Sequence, residues 1–476
     1  MPPYGSDRWR HVIDSYRLTG SGAHLGGVRR ATIEFGDDFA IYRKQPSDYA
    51  QQLNESLAGG ITMGLLTGFS SADTSWPLPQ GGAAFGLGEA WTAGWPQWRD
   101  WPALSRYFSR STQVLESGQA RIDLAIYHDR GLSTVHDTAP LFASDALEGA
   151  GYTYDFIDPL ALTAAAATAT PGMLYGHGVG YRALLLDRQA SIPAAAARAI
   201  VSMAQHGLRV IVIGSPPRTS TGLRNHAEQD RAVERAITTL MHLRNVTHVD
   251  KEDDVPNALQ QLGCAPDASF GDRSPLLSVH RQTAEHDLWW KFNPTNEAVA
   301  SIASFSALGA PYVLDLWSGA GERVAQWHVD GKRTVVPLVM MPHASTTLLF
   351  HHGERAPPHV VSSTAEEIIQ GSDDMLVFDQ RGGTQRVLLS DEQVRSVDLN
   401  QLPRPLELAQ WHLTVNELLP EGRRPHDLGL IPLVDWRSMP ELKDAVGQAL
   451  YSAAFNYHDP AGHHTPESNG GLARSG

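Results

Sequence analysis

Residues 191–214, SIPAAAARAIVSMAQHGLRVIVIG, set a helix directly against a strand. Ser191 stands where a helix N-cap belongs, and Gly207 stands where a helix stops. The following LRVIVIG is too short for a second helix and almost continuously apolar, the signature of a strand buried on both faces. The same alternation runs outward from it. RIDLAIYH, beginning at Arg121, and YRALLLD (181–187) read as strands upstream. Residues 226–243 read as a helix, VTHVD (246–250) as a strand and VPNALQQLG as a short helix. The series predicts a doubly wound, Rossmann-like sheet.

Upstream, VRRATIE (28–34) alternates and is predicted to be a strand ending at Glu34. SDYAQQLNESLA (47–58) reads as a capped helix stopped by Gly59 and Gly60, and ITMGLLT (61–67) as a second strand. That order matches the end of a parallel α/β barrel or sheet. Residues 70–101 have no period but hold Trp76, Trp91, Trp95, Trp98 and Trp101 among glycines and prolines. Residues 102–117 then form an amphipathic helix ended by Gly118. After Ser274 short alternating segments such as LLSVHRQ, DLWWKFNP and STTLLFHH predict a β-sandwich, and WHLTVNELLP (411–420) opens a further β unit. The polar stretch after residue 457 reads as a disordered tail.

Composition narrows the function. The chain has 476 residues, enough for two to four domains at about 150 residues each. Its 52 acidic against 38 basic residues argue against a nucleic-acid surface. No apolar run is long enough to span a bilayer. The first residues show no secretory h-region, so the chain as given is expected in the cytoplasm, or secreted if it is a piece of a longer precursor. A single cysteine, Cys264, excludes an internal disulfide and a Cys-based zinc site, and it lacks the glycine frame of a nucleophile. The GHGVG of residues 176–180 precedes a strand rather than opening a helix, so it reads as a structural loop.

Glu34 is the best acid/base candidate, because carboxylates at the C-terminal ends of barrel strands point into the cleft. Without further support, an ordinary strand end is the favoured reading of this residue. Asp37 and Asp38 are candidate supporting or calcium-binding groups. Among the tryptophans, Trp76 with Trp95 or Trp98 suits a platform for the C–H faces of a sugar ring. The competing reading packs these indoles as a local core.

Taken together, ATIEF, AGGITMGLLTGF, SWP, the tryptophan-rich loop, SRYFSRSTQVLESG, DLAIYHD, YDFIDP, VHRQTAEHDLWWKFN, VLDLWSGAGERVAQW and WHLTVNELLP, in this order, resemble the C-terminal half of the large α-L-rhamnosidases of glycoside hydrolase family 106. The resemblance implies that 1–120 is the last part of a (β/α)8-type catalytic barrel carrying the Trp-rich loop. It makes 121–270 a glutamine-amidotransferase-like domain without a catalytic cysteine, 275–410 the β-sandwich, 411–457 the start of a jelly-roll sugar-binding-like domain and 458–476 the tail. It further implies a chain truncated at both ends and inverting hydrolysis of terminal α-L-rhamnosyl linkages by two carboxylates, Glu34 being one. Such a pair stands about 6.5–9.5 Å apart. The second carboxylate then falls to Asp37, Asp38, Glu55 or a homo-oligomeric partner chain. Calcium is the cofactor the resemblance allows, and a carbohydrate is the partner it implies. The alternative is a non-catalytic carbohydrate-binding or assembly protein derived from such a hydrolase.

Overall fold

The structure, a computed structural model, describes residues 9–35, 45–66, 98–129, 141–168, 170–271, 273–354, 356–371, 374–401, 407–419 and 422–455. It is a mixed α/β protein with several separate sheets. The chain divides into two compact units, 1–33 with 51–65 and 105–401, and 34–50 with 66–104 and 402–476.

The first elements are α1 (Trp9–Leu25), β1 (Thr32–Phe35), α2 (Pro46–Ala58), β2 (Met63–Leu66) and α3 (Trp101–Leu115). β1 and β2 pair as a two-stranded sheet. Helix α1 is absent from the sequence-based expectation, and its buried side shows why. Ile13, Asp14, Arg17 and Ser21 face inward at helical spacing, so three of these four buried positions are polar. Their needs are met locally. Asp14 pairs with Arg17, the Arg17 guanidinium lies 3.9 Å over the Tyr154 ring, and Ser21 Oγ accepts the Phe156 backbone N–H at 2.9 Å. α1 crosses the end of α2 at very short range. A Cβ on Gly20 would stand 2.5 Å from the Gly59 carbonyl oxygen, and one on Gly59 would stand 2.6 Å from the Tyr16 Cβ. Gly59 therefore does more than stop a helix: it admits a second backbone.

RIDLAIYH, expected as one strand, is two. β3 (Gln119–Arg121) pairs antiparallel with a later strand, whereas β4 (Leu124–Tyr127) enters a parallel sheet. The parallel sheet adds α4 (Ala146–Gly149), β5 (Tyr154–Ile157), α5 (Pro159–Thr163), β6 (Ala183–Asp187), α6 (Ala194–Gln205), β7 (Arg209–Ile213), α7 (His226–Met241), β8 (Val246–Val249) and α8 (Val255–Gln261). Its strand order is β5-β4-β6-β7-β8, with every pairing parallel. Alternate residues serve opposite faces. Leu184, Leu186, Val210 and Val212 share a core with Ile200 of α6 and Val233 of α7. Leu185, Ile211 and Ile213 share the other with Val255 and Leu259 of α8.

Antiparallel structure follows from β9 (Ala268–Ser269) through β10 (Leu277–Gln282), β11 (His286–Phe292), β12 (Val299–Phe305), β13 (Pro311–Leu314), β14 (Gly321–Arg323), β15 (His328–Asp330) and β16 (Arg333–Met340) to β17 (Ser345–His351). A six-stranded sheet, β14-β13-β17-β11-β10-β3, and a four-stranded sheet, β15-β16-β12-β9, supply one shared core. Trp289 anchors it, 5.3 Å from the Phe305 ring and 5.4 Å edge-on to Phe350. Residues 360–399 add a three-stranded sheet and a hairpin. In the second unit, Trp411–Leu419 lies between Gly422–Ile431 and Gly447–Ser452, with Leu413, Val415 and Leu442 as its core. The predicted tail, 458–476, lies outside the described residues.

Gly118, between α3 and β3, has φ +57°, and a Cβ there would sit 2.1 Å from the Gln282 carbonyl oxygen. Gly118→Ala is expected to destabilise the protein by about 2–5 kcal/mol, combining left-handed strain with overpacking. Gly22→Ala, inside α1 with open space around its Cβ, serves as the control and is expected to be neutral or stabilising. Denaturant midpoints of the two variants check this; equal midpoints contradict it.

Candidate functional site

Local hydrogen bonds hold the root of β1. The Ala31 carbonyl accepts from Thr62 N–H at 2.9 Å and Met63 N–H at 3.1 Å, and Ala31 N–H donates to Thr62 Oγ1 at 3.0 Å. Three residues further on, Glu34 is exposed. Of the other predicted site residues, Asp37, Asp38, Trp76 and Trp95 lie outside the described residues. Trp98 is described. It opens a single turn, Trp98–Asp100, and its indole lies nearly parallel to that of Trp101, 6.5 Å apart at 6°. Trp101 meets Tyr49 edge-on at 6.0 Å. Trp98 and Trp101 are both half-buried.

Glu55, the remaining carboxylate named from the sequence, is in a different state. From Gln51 to Gly59 every residue of this stretch is buried. Gln51 Nε2 donates to Glu55 Oε1 at 3.1 Å. Burial pushes the Glu55 carboxyl up to about 7, and burial together with Glu55 pushes the Tyr16 phenol up to about 12. Glu55 thus titrates close to neutrality although it is buried.

Sequence reasoning missed a partly buried chain of charges in the first unit. Arg182 pairs with Asp123 and stands 3.1 Å from Asp267. His280 joins the two sheet systems, with Nδ1 3.4 Å from Asp267 and Nε2 2.9 Å from Asp287. His352 Nε2 lies 2.8 Å from the other Asp287 oxygen. Burial opposes charge on His280, but its hydrogen bonds to Asp267 and Asp287 outweigh this and raise its pKa. Burial likewise opposes charge on Asp287, but the bonds from His280 and His352 hold its carboxyl below the usual range. Burial, then the Asp267 charge, raises Asp123. These partners are up to 144 residues apart in sequence, so no local spacing signals them. The bonds satisfy the groups internally and suit a structural clamp rather than a reaction centre.

Two cavities belong to the first unit. One is a small space of about 30 Å³ beside Arg17, Tyr154 and Asp155. The other is an open cleft of about 670 Å³ lined by Arg29, Arg121 and Arg281. Glu34 lines neither. Among the described residues no group of three His, Cys, Asp or Glu side chains is arranged to hold a metal ion, and Asp37 and Asp38, the candidate calcium ligands, lie outside them. No helix among them is long and apolar enough to cross a membrane.

The sequence profile of glycoside hydrolase family 106, described as alpha-L-rhamnosidase, matches residues 14–326, from α1 to just beyond β14. The chain belongs to this family. The resemblance read from the ordered motifs is therefore correct at the level of family. A rhamnosidase from Novosphingobium sp. PP1Y shares the fold at a TM-score of 0.60 and 17% identity, covering 86% of this chain and 41% of that one. The family 106 chain thus spans about two fifths of that protein's length. An alpha-L-fucosidase isoenzyme 2 from Paenibacillus thiaminolyticus matches at a TM-score of 0.42 and 10% identity, covering 72% of this chain and 63% of its own. A GH42 beta-galactosidase from G. stearothermophilus matches at 0.39 and 9%, covering 65% and 51%. These last two likenesses are too distant to bear on the fold. No match was found among curated protein sequences.

The Glu55 carboxyl gives a pH test of the family 106 chain. Its folded pKa, about 7, lies above the ordinary 4.5, so the folded state binds the proton more tightly. The stabilisation is complete below pH 4.5 and is lost as pH rises to about 7. Glu55→Gln keeps the shape without the charge. It is expected to remove this part of the pH dependence, worth on the order of 3 kcal/mol, and to be the more stable form at pH 8. Denaturation curves at pH 5 and pH 8 for both proteins measure it; parallel losses in both contradict the assignment.

Proposed function

We propose that the chain carries part of an α-L-rhamnosidase that hydrolyses terminal α-L-rhamnosyl or related linkages by inversion. The observation that carries this reading is the family match over residues 14–326. In this reading β1, α2 and β2 are the last strand–helix–strand unit of a (β/α) barrel, and Glu34 projects from the strand end that such barrels use for chemistry. Glu34 polarises water and accepts its proton as the sugar–oxygen bond breaks. A second, protonated carboxyl donates to the leaving oxygen. The burial of Glu55 leaves Asp37, Asp38 or a carboxylate of a partner chain for that role. Trp98, with Trp76 or Trp95, supplies an indole face for the sugar ring.

The parallel sheet is then a doubly wound, Rossmann-like scaffold. In local numbering its order is 2-1-3-4-5, which supports that reading. It carries no amidotransferase chemistry of its own. Cys264 is buried, and burial raises its thiol pKa.

A second reading, a non-catalytic carbohydrate-binding or assembly protein, draws on the absence of Glu34 from both cavities. Release of aryl alcohol from an aryl α-L-rhamnoside separates the two. The expected result is turnover by the wild-type chain, with kcat reduced about 10²–10⁴-fold in Glu34→Gln and KM nearly unchanged. No turnover, or a Glu34→Gln variant as fast as wild type, removes the hydrolytic reading. Rhamnose binding without turnover, weakened in Trp98→Ala, establishes the second.

A further inference from the structure

The open cleft of the first unit is built from three short pieces of chain. Gly26 and Gly27 end α1, and Gly27 adopts φ +66°, which turns the chain so that Arg29 and Arg30 follow at once. Arg30 is taken up by Glu116 in a two-pronged ion pair, with Nε 2.6 Å and Nη2 2.8 Å from the two carboxylate oxygens. Arg29 lines the cleft and is exposed. The other two arginines come from the β3–β10 pairing, in which Arg121 lies opposite His280 and Arg281 opposite Ala120.

Both are held rigidly by neutral groups. Arg121 Nε donates to Gln282 Oε1 at 2.8 Å and its Nη1 to the Gly178 carbonyl at 2.9 Å. Arg281 Nε donates to the Ser117 carbonyl at 2.9 Å and its Nη2 to the Gly118 carbonyl at 3.0 Å. Among the described residues no Asp or Glu lines this cleft. Of the carboxylates next to its wall in sequence, Glu116 is engaged by Arg30, Asp123 pairs with Arg182, and Glu285 is exposed beside Ala284. Burial and then the Arg29 charge lower the Arg281 pKa to about 10, against the opposing pull of Glu116. Three arginines line this cleft although the whole chain carries a formal charge of −14, which sets the cleft apart from the average surface.

We propose that this cleft binds an acidic sugar, with its carboxylate held by Arg29 beside Arg281 and its ring hydroxyls by Arg121 and the neutral polar groups of the same wall. Guanidinium forks match a planar carboxylate in two-pronged geometry. Arg121 and Arg281 are already ordered by their carbonyl bonds, so little side-chain entropy is lost on binding. The volume, about 670 Å³, falls within the range of about 300–1,000 Å³ for small-molecule sites and is far larger than a lone inorganic anion needs. Gln119 and Thr283 line the same space and suit hydroxyl groups. The inference does not depend on the rhamnosidase reading: a chain that hydrolyses nothing can still bind here.

The test is calorimetric titration of the full chain with glucuronic acid, galacturonic acid and their short oligomers, with matched neutral sugars and inorganic phosphate as separate arms. The expected result is binding of the acidic sugars over the neutral ones, weakened several-fold between about 50 and 500 mM salt as screening shortens the reach of the charges. Arg29→Glu is expected to weaken it at least about tenfold and Arg29→Ala by less, both with unchanged melting temperature, because Arg29 is exposed and makes no ion pair among the described residues. Arg235→Glu, on the exposed side of α7, is expected to leave binding unchanged. Failure of every acidic sugar to bind overturns the proposal, as does phosphate binding without acidic-sugar binding. Acidic-sugar binding that Arg29→Glu leaves intact overturns it too, and loss of aryl rhamnosidase activity has no bearing on it.

Discussion

A run of alternating charges ties the parallel sheet to the antiparallel one, and the layout of the larger unit depends on it. Asp123 sits between β3 and β4, where one apolar run is shared between two sheets. Its carboxylate accepts from the Thr153 backbone at 2.9 Å, from Thr153 Oγ1 at 3.0 Å and from the Asp267 backbone at 3.1 Å, besides pairing with Arg182. A bare carboxylate at 1% exposure is costly, and this one is tolerated because every lone pair is used. Asp267 and His280 then carry the pairing to Asp287 on β11. Hydrophobic contacts alone leave the register of a strand free to slip by two residues. A chain of directional bonds does not, because each slip strands a buried charge.

That clamp also shapes the surface. With Asp123 fixed, β3 stays at the edge of the six-stranded sheet and β4 is drawn into the parallel one. Arg121, two residues before Asp123, is thereby placed opposite His280, the neighbour of Arg281 on β10, and the turn at Gly118 brings the Ser117 and Gly118 carbonyls within reach of the Arg281 guanidinium. The stacking of His280 on Trp289, 4.0 Å between ring centres, joins the same polar chain to the aromatic core of the antiparallel sheets. One partly buried network therefore sets both the seam between the sheets and the positive wall of the cleft.

Those features of the fold that follow from local pattern were legible in the sequence. β6, α6, β7 and α7 were visible because strands buried on both faces read as apolar runs and the helices carry a clear apolar side. The antiparallel strands from β10 to β17 were visible from their turn-bounded alternation. α1 was not, because Asp14, Arg17 and Ser21 occupy its inward face and erase the apolar period. The break at Asp123 was not, because nothing in RIDLAIYH says that its two halves pair with different sheets. The charge network was invisible for the same reason: Arg182 and Asp123 are neighbours in space only after the parallel sheet has formed. At the candidate site, Glu34 was legible as a strand end and Trp98 as one of a cluster of indoles. The half-burial of Trp98 against Trp101 was not, since an unpatterned loop gives no sign of which rings pack on one another.

The state of the carboxylates narrows where chemistry of the family's kind can occur. A group that exchanges a proton with a substrate must be reachable and must not be locked by permanent partners. Asp14, Asp123, Asp155 and Asp287 fail on both counts, each buried and bound to Arg, His or backbone donors. Glu148 is buried and accepts from the Tyr154 hydroxyl at 2.7 Å. Glu55 has the raised pKa wanted in an acid but no access, so its perturbation reports burial, not function. Among the carboxylates singled out from the sequence and described here, exposure together with a position at a strand end is left to Glu34.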